Sequence, residues 1–358
     1  MSYTLRIGSR GSKLALIQSE WVRDQLQALH PGLRVEIEAM HCTGDRLLDA
    51  PLAKIGDKGL FTKELETAML EGRTDLAVHS AKDMPTEIPE GLALVAFTRR
   101  EDVRDVFVAS AAARPGEAPA GDAGPVTPGG VADLAEGAVI GSSSLRRRSQ
   151  LLALRPDLEL VDIRGNVQTR LRKVEEQGMA GTILAAAGLA RLGQPGLAAF
   201  AFAFEEMLPA VGQGSLAIEA RADDARVASL VEPLIHEASS LAVCAERSLM
   251  RALQGGCQVP IAALAELVDG DGGSSARIRL RAFVGSVDGR RTMRDELSGP
   301  ATSPEDLGRA LAARLRDGGA DVILEEVRGQ DAGAAGADPP NGACGPPDAP
   351  AAGPGAGG

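Results

Sequence analysis

The chain has 358 residues, a formal net charge of −11, 44% hydrophobic residues and only 3% aromatic residues. This length predicts two or three domains, and the acidic balance argues against general binding to nucleic acids or anionic membranes. The cysteines form no C-x-x-C pair, the histidines do not cluster, and no apolar run reaches the roughly 18 residues of a spanning helix. We therefore expect no metal site, no membrane span and a reducing, cytoplasmic compartment.

The first third of the chain alternates between predicted strands and helices. Apolar runs and helical spacing predict a strand at 5–7, a helix after Ser12, a strand at 33–40, a helix at 62–71 and strands at 76–78 and 92–97. Residues 99–104 form a charged connector. Residues 109–135 are rich in Ala, Gly and Pro and have no apolar period, which predicts a flexible surface insertion.

From residue 138 onwards the chain repeats the order of its opening elements. The strand and turn Ile7-Gly8-Ser9-Arg10 are echoed by Ile140-Gly141-Ser142, which a helix again follows. Another strand, a helix at 167–176 and a strand at 182–185 complete the second series. Two βαβαβ halves predict an α/β protein with paired domains and a cleft between them. The linker 208–214 and the strand 215–219 then carry the chain back, which predicts a two-stranded hinge.

A third region begins near His236 and has a different order of elements. A helix at 238–253, strands at 277–284 and 290–297 and a helix at 304–316 predict a smaller α+β domain. Beyond residue 329 the chain consists mostly of Gly, Ala, Pro and Asp, which predicts a disordered tail.

One short stretch places several reactive side chains at the end of a buried strand. Leu76–Pro85 contains His79, Ser80, Lys82 and Asp83 directly after three apolar residues. Ligands of α/β proteins usually bind at the carboxyl ends of strands. Taken alone, the stretch favours a turn that Asp83 caps beside a solvated Lys82, and no apolar pocket that would lower the pKa of a nucleophilic Lys82 is evident.

The second half of the repeat carries a local excess of positive charge. The segment from Ser142 to Leu192 contains nine basic and five acidic side chains, so its net charge is +4 within an acidic protein. Arginine suits bidentate binding of carboxylate or phosphate. We therefore predict that anions bind to the arginines that follow a strand or lie near the start of a helix. These are Arg10, Arg146, Arg147, Arg164 and Arg170. Asp83 would then face a cationic cleft, where a carboxylate could stabilise a developing cation. Cys257, between a Gly-Gly bend and Gln-Val-Pro, is either a buried structural thiol or an attachment point for a large ligand.

Together these motifs resemble one family, the porphobilinogen deaminases (hydroxymethylbilane synthases). The resemblance runs from about residue 5 to residue 327 and rests on eight motifs in order: Arg10-Gly11-Ser12-Lys13-Leu14-Ala15, Lys58-Gly59-Leu60-Phe61, Val78-His79-Ser80-Ala81-Lys82-Asp83-Met84-Pro85, Ser143-Ser144-Leu145-Arg146-Arg147, Arg164-Gly165-Asn166-Val167, Ala187-Gly188-Leu189, Val211-Gly212-Gln213-Gly214 and Gly255-Gly256-Cys257-Gln258-Val259-Pro260.

The resemblance implies a transferase that joins four porphobilinogens head to tail on a covalent dipyrromethane cofactor and releases ammonia and hydroxymethylbilane, for haem and tetrapyrrole biosynthesis. It implies a thioether at Cys257 and catalytic roles for Asp83 and Lys82. The other residues expected to contact the cofactor are Ser144, Arg146, Arg147 and Arg164. Those expected to contact substrate are Arg10, Ser12, Ser80, Arg147, Arg170, Arg191 and Gln213. An active-site loop would carry Lys54, Lys58 and Phe61.

The resemblance also implies two periplasmic-binding-protein-like lobes with a hinged cleft and a smaller C-terminal α+β domain, in a cytoplasmic monomer that needs no metal, membrane or nucleic acid. We expect domain 1 at 1–98 and 215–232, domain 2 at 104–208 and domain 3 at 236–328, followed by the tail at 329–358. Gly181 and Ala190 depart from the residues expected of the family. An anion-binding module of the same architecture is the main alternative, but it would have no use for Cys257. A nucleic-acid-binding protein is a weaker one, because no basic surface or matching motif is visible.

Overall fold

The computed structural model describes residues 4–40, 42, 62–113, 128–255, 259–268 and 276–335, which form three sheets with their helices. The first lobe contains β1 (Thr4–Arg10), α1 (Lys13–Leu29), β2 (Arg34–Met40), α2 (Lys63–Leu70), β3 (Leu76–Ser80), β4 (Leu92–Phe97), β10 (Leu216–Arg221) and α6 (Ala225–Val231). Its strands lie in the order β2-β1-β3-β10-β4. β1 pairs in parallel with β2 and β3, whereas β10 runs antiparallel between β3 and β4.

The second lobe repeats this arrangement with its own strands. It contains β5 (Asp105–Ala109), β6 (Val139–Gly141), α3 (Leu145–Leu154), β7 (Glu159–Val161), α4 (Val167–Glu176), β8 (Gly181–Ala185), α5 (Ala186–Arg191) and β9 (Phe200–Ala201). The order β7-β6-β8-β5-β9 places an antiparallel strand, β5, in the position that β10 occupies in the first sheet. The predicted pairing of two α/β lobes is confirmed.

The predicted insertion at 109–135 differs in part from the structure. Ala109 is the last residue of β5, and the side chains of Val131 and Leu134 are buried in the core of the second lobe. Two apolar side chains within a stretch of small residues are enough to anchor this end of the segment, because their burial removes apolar surface from water. Residues 114–127 lie outside the described part of the chain.

A third, α+β unit follows, as predicted. It contains α7 (Glu237–Ala252), β11 (Ile261–Val268), β12 (Arg277–Gly285), β13 (Thr292–Pro300), α8 (Pro304–Asp317) and α9 (Ala320–Ala335). The antiparallel sheet β11-β12-β13 packs against α7 and α8 around a shared core. The sequence did not predict β11, and α9 continues to Ala335, beyond the residue where the tail was expected to begin.

The two connections between the lobes run side by side. Glu101 N donates to Gly214 O at 3.2 Å, Thr98 N donates to Leu216 O at 3.0 Å, and Ser215 Oγ donates to Thr98 O at 2.8 Å. Gly214 has a φ of +93°, and a Cβ atom there would lie 2.7 Å from Glu101 O. A glycine is therefore required where the two connecting segments contact each other. The predicted two-stranded connection is present.

No single helix of the described residues is long and apolar enough to cross a membrane. The segments 225–234 and 237–252 meet that test only as a pair, and they are bent by 110° relative to each other.

Candidate active site

The first lobe forms a recess between α1 and the end of β3. Ser12 caps α1 by accepting from Ala15 N at 3.3 Å, and Gln18 Nε2 donates to Ser80 Oγ at 2.9 Å. These bonds hold the start of the helix against the carboxyl end of the strand. The recess holds about 400 Å³ of space open to solvent, and its lining includes Arg10, Ser12, Gln18, Ser80 and Asp83. Gln18 is buried there and was not predicted as a site residue.

Lys82 and Asp83 lie on a single 3-10 turn, Ala81–Asp83, directly after β3. Ala81 is buried and its N–H donates to Ser215 O at 3.0 Å, which ties the turn to the connection between the lobes. Asp83 is exposed and Lys82 is half-buried. Burial lowers the pKa of Lys82 to about 8. The charges of Arg147 and Arg146 also lower this pKa, whereas those of Asp83 and Asp105 raise it. The sequence showed no apolar pocket around Lys82, and it is burial in the folded chain that lowers this pKa.

In the second lobe one buried carboxylate binds two of the predicted arginines. Asp105 Oδ2 accepts from Arg146 Nη1 at 2.6 Å, and Asp105 Oδ1 accepts from Arg147 Nη2 at 2.7 Å and Nε at 3.2 Å. Arg146 Nη1 also donates to Leu208 O at 2.7 Å, and Arg147 Nη1 donates to Ile183 O at 2.8 Å. All three charged side chains are buried. Each arginine therefore has a fixed position before any ligand arrives.

Asp105 is the principal site residue that sequence reasoning missed. Burial alone would raise its pKa, but the charges and hydrogen bonds of Arg146 and Arg147 outweigh burial and hold the pKa well below the usual range. A carboxylate at the start of an otherwise apolar strand, Asp105–Ala109, was the signal available in the sequence. The predicted connector ended one residue too early to include it.

Gln213 connects the two lobes at this point. Its Nε2 atom donates to Val103 O at 2.7 Å and to Asp105 Oδ1 at 3.1 Å, while its Oε1 atom accepts from Lys82 Nζ at 3.5 Å. Gln213 is fully buried within the second connection. The turn that carries Asp83 is thus linked through one amide to the carboxylate that holds both arginines.

Arg170 and Arg191 also lie at the cleft. Arg170 Nε donates to Gly165 O at 2.9 Å, and Arg191 Nη2 donates to Gly214 O at 2.6 Å. Burial lowers the pKa of Arg170 to about 10, with Arg147 and Arg164 acting in the same direction and Asp83 opposing them. Burial likewise lowers the pKa of Arg191. The charge of Asp83, on the opposite lobe, therefore acts on Arg170.

The remaining predicted residues fall into two groups. Arg164 is half-buried between β7 and α4, and Ser144 is half-buried at the start of α3, where its side chain makes no cap hydrogen bond. The others lie outside the described residues: Lys54, Lys58, Phe61 and Cys257.

Two residues that depart from the expected motifs, Gly181 and Ala190, lie within the described part of the chain. Phe107 and the carbonyl of Val108 occupy the space that a Cβ atom at Gly181 would need, so the strand pairing there accepts only glycine without rearrangement. Ala190 is exposed on α5, beside the predicted Arg191. Neither departure removes a group from the recess or from the arginine cluster.

The assembled groups combine basic side chains with the exposed acid Asp83. Within the described residues, Arg170 and Arg191 make hydrogen bonds to carbonyl oxygens and no ion pair with a carboxylate. Both are half-buried, and an anionic partner stabilises a charge that is withdrawn from water. The described residues also contain no group of three or more His, Cys, Asp and Glu side chains that could hold a metal ion.

Two family models match the chain. The first is described as "Porphobilinogen deaminase, dipyromethane cofactor binding domain" and matches residues 5–229. The second is described as "Porphobilinogen deaminase, C-terminal domain" and matches residues 240–317.

Curated relatives carry the same name. The porphobilinogen deaminase of Geobacter sulfurreducens is 48% identical over 323 residues, which is 90% of this chain and 94% of the relative. That of Gloeobacter violaceus is 49% identical over 328 residues, 91% of this chain and 94% of the relative. That of Moorella thermoacetica is 48% identical and covers 91% and 97%.

Solved structures with related backbones are more distant. The Bordetella pertussis BvgS periplasmic VFT2 domain matches with a TM-score of 0.36 and 15% identity over 64% of this chain and 85% of that chain. The Escherichia coli periplasmic aliphatic sulphonate binding protein SsuA matches with a TM-score of 0.35 and 15% identity over 70% of each chain.

Proposed function

The chain belongs to the porphobilinogen deaminase family, and we propose that its two lobes divide that reaction between an acid on one side of the cleft and arginines on the other. The chain condenses four porphobilinogen molecules head to tail on a dipyrromethane cofactor, releasing ammonia and the linear tetrapyrrole hydroxymethylbilane. The reaction belongs to tetrapyrrole biosynthesis, and the enzyme is a transferase.

One observation carries this division of roles: within the described residues, the half-buried cations Lys82 and Arg170 are both subject to the charge of the exposed carboxylate Asp83. Arg170 and Lys82 both have lowered pKa values because burial removes them from water, and Asp83 opposes the shift in each case. Each pyrrole of substrate and cofactor bears an acetate and a propionate. Such a ligand would supply the carboxylates that these cations lack within the described residues, so the cleft suits the dipyrromethane group and the growing chain.

The cofactor would be held from three parts of the protein. We assign the covalent thioether to Cys257 and the non-covalent contacts to Lys82, Asp83, Ser144, Arg146, Arg147 and Arg164. When bound, dipyrromethane supplies the free pyrrole position to which the first substrate is added. Arg147 already donates from all three of its nitrogens to the protein, so it would act largely through its charge, whereas the Ser144 hydroxyl is not used in a helix cap.

The incoming substrate would be bound around the recess of the first lobe. We assign its side-chain carboxylates to Arg10, Ser12, Ser80, Arg147, Arg170, Arg191 and Gln213. The loop residues Lys54, Lys58 and Phe61 are proposed to cover the cleft. This arrangement would place the aminomethyl group of the substrate next to the exposed end of the Lys82-Asp83 turn.

Asp83 would act on the cation that forms at the substrate. When the carbon–nitrogen bond of the aminomethyl group breaks, ammonia leaves with the electron pair and an azafulvene-type cation remains. A carboxylate held on a rigid turn stabilises that charge without reorganising during the step. The same oxygens can hold the pyrrole N–H in position. Lys82, at a pKa of about 8, would remain mostly protonated at neutral pH and bind a neighbouring carboxylate.

Incubation with porphobilinogen tests the activity directly. We expect loss of substrate together with porphyrin formed after oxidation of the product. Replacement Arg170→Gln should raise KM about tenfold, since a charge-assisted hydrogen bond is lost. Arg172→Gln is the matched control on the same helix, because Arg172 is exposed and pairs with Glu176. Equal effects of the two changes would contradict the assignment of Arg170.

Intact-mass spectrometry tests the attachment site. The purified protein should be heavier than its polypeptide by two linked pyrroles, and Cys257→Ser should remove that added mass. An active enzyme at the bare polypeptide mass would exclude the covalent attachment.

The compartment, the oligomeric state and the domain limits are parts of the same proposal. Within the described residues, Cys42 and Cys244 form no disulfide bond, which is compatible with a reducing cytoplasm. A monomer is proposed on the resemblance to the family. The limits proposed are 1–98 with 215–232, 104–208 and 236–328, and the third domain extends at least to Ala335, where α9 ends.

A further inference from the structure

A second recess lies on the other side of the first lobe, where that lobe meets the third unit. It has a volume of about 210 Å³, below the range of drug-sized pockets, so its occupant would be a small molecule. One wall comes from β4 and the segment before it, and the other comes from α7 and α8. None of the residues proposed for the reaction lines it.

The two walls differ in chemistry. Ile88, Leu94 and Phe97 form an apolar wall, and Phe97 is only 8% exposed. Arg247 and Arg251 face it from successive turns of α7, with Cys244 one turn earlier. An apolar wall opposite two guanidinium groups matches a ligand with an apolar body and an anionic end.

Neither arginine has a carboxylate partner within the described residues. Arg247 Nη2 donates to Pro85 O at 2.7 Å and Thr86 O at 3.3 Å, and Arg251 Nη2 donates to Thr86 O at 3.1 Å. Arg247 is only 8% exposed, so its charge has lost most of its water without gaining an ion pair. Burial, and then the charge of Arg251, lower its pKa, whereas Cys244 and Glu219 act in the opposite direction.

One acidic group limits the charge of a ligand. Glu305 on α8 stands at the rim of the same recess and is exposed. Two arginines against one glutamate leave a net charge of about +1, which suits a single carboxylate better than a polyphosphate. We propose that this recess is a second ligand-binding site, which takes a monocarboxylate with an apolar body and binds its carboxylate at Arg247 and Arg251.

The proposed site is connected to the catalytic turn. The carbonyl groups of Pro85 and Thr86, which the two arginines hold, belong to the segment that directly follows Asp83. A bound carboxylate would compete with these carbonyl groups for the same donors. We therefore expect a ligand bound in this recess to displace the segment after Asp83 and so lower kcat. It should not compete with porphobilinogen for binding.

Alkylation of Cys244 locates the ligand independently of activity. Cys244 is partly exposed in the recess, so a bound molecule should protect it. The holoenzyme is treated with N-ethylmaleimide in the presence of phenylbutyrate or of the neutral phenylbutyramide, and the Cys244 peptide is quantified by mass spectrometry. We expect saturable protection by phenylbutyrate only. Equal protection by the amide, or none by either compound at millimolar concentration, would overturn the proposal.

A charge-removing variant tests the arginines. Arg251→Gln should weaken binding of phenylbutyrate about tenfold in calorimetry. Arg290→Gln is the control of equal charge, because Arg290 lies in the exposed turn between β12 and β13. Equal affinities of the two variants would overturn the proposal. A probe that competes with porphobilinogen but leaves Cys244 labelling unchanged is bound in the arginine-lined cleft, and this result would also overturn it.

Discussion

The two lobes have the same strand order but place opposite charges at the cleft. In the first lobe the strand β3 leads to the exposed carboxylate of Asp83. In the second lobe the helix after β6 begins with Arg146 and Arg147, and both are buried on Asp105. The same backbone arrangement therefore supplies an exposed acid from one side and fixed cations from the other.

The difference shows how a repeated fold can serve one reaction with two chemistries. In the proposed reaction the acid has to approach the reacting atoms, and Asp83 lies on an exposed turn. Arg146 and Arg147 are instead fixed in position by their bonds to Asp105. Preorganised charge of this kind stabilises a transition state because it does not have to be rearranged during the reaction.

Removal of the exposed acid should have the largest effect. Asp83→Ala should lower kcat by about 10²–10⁴, the usual contribution of a positioned acid–base group. The fold should persist, because Asp83 is exposed and makes no hydrogen bond that supports the lobe within the described residues. Initial rates with porphobilinogen measure the first effect, and intact mass with circular dichroism checks that cofactor and fold are retained. Near-normal turnover would remove Asp83 from the mechanism.

Removal of the buried acid should instead affect stability. Asp105→Asn leaves Arg146 and Arg147 buried without a counter-charge, which should reduce the free energy of unfolding by about 3–5 kcal/mol. Because the pKa of Asp105 is depressed in the folded state, its contribution is present above the unfolded pKa of about 4 and is lost as the pH falls through the folded pKa. The difference between wild type and variant should therefore shrink on acidification.

Urea unfolding at neutral and acidic pH measures this effect. Asp102→Asn is a control three residues away, since Asp102 forms an exposed pair with Arg104. That variant should change the free energy of unfolding by less than about 0.5 kcal/mol. A similar loss of unfolding free energy in both variants would show that Asp105 does not stabilise the buried Arg146 and Arg147.

The pH dependence of substrate binding should report Lys82, which lies between the two lobes. Its pKa of about 8 is below the ordinary value of 10.5, so the folded protein carries a desolvation cost that is fully present below pH 8 and is relieved as the pH rises towards 10.5. If the charged form binds a carboxylate, KM should rise severalfold between about pH 7 and pH 9.

Variants at Lys82 separate this effect from titration of the substrate. In Lys82→Gln the step in KM should disappear, and KM should be high throughout. In Lys82→Arg the low KM should extend to higher pH, because arginine stays protonated. An unchanged pH profile in both variants would assign the step to another group.

The two echoing serines should give the smallest effect. Ser12 caps α1 with a hydrogen bond from Ala15 N, whereas Ser144 occupies the same position before α3 without one. Ser12→Ala should therefore lower the free energy of unfolding by about 1 kcal/mol, and Ser144→Ala should leave it within about 0.5 kcal/mol. Thermal denaturation of the two variants makes the comparison, and equal losses would contradict the difference in capping.

Much of the fold could be predicted from the sequence because its signals are local. The apolar strands, the helix that starts after Ser12 and the repeated order of elements all depend on neighbours along the chain. The strand β11 was missed, although its residues 261–268 are almost all apolar. A continuous apolar run does not by itself distinguish a buried strand from part of a helix.

The site could be predicted only as a set of candidates. The motifs identified Asp83 and the arginines by type and position, but charge balance along the chain does not reveal which charges meet. Gln18, Asp105 and Gln213 reach their partners across 41 to 131 positions of sequence. Such contacts depend on how the elements pack.

By itself, the sequence determined the α/β class, the repeated lobes and the chemical character of the cleft, because apolar periodicity and residue type act locally. Only the tertiary structure decided that Arg146 and Arg147 share Asp105, that Lys82 is withdrawn from water, and that Arg247 and Arg251 hold the segment after Asp83. The physical reason is that burial and Coulomb interactions depend on distance in space, and the chain brings these groups together only when its three units are folded against one another.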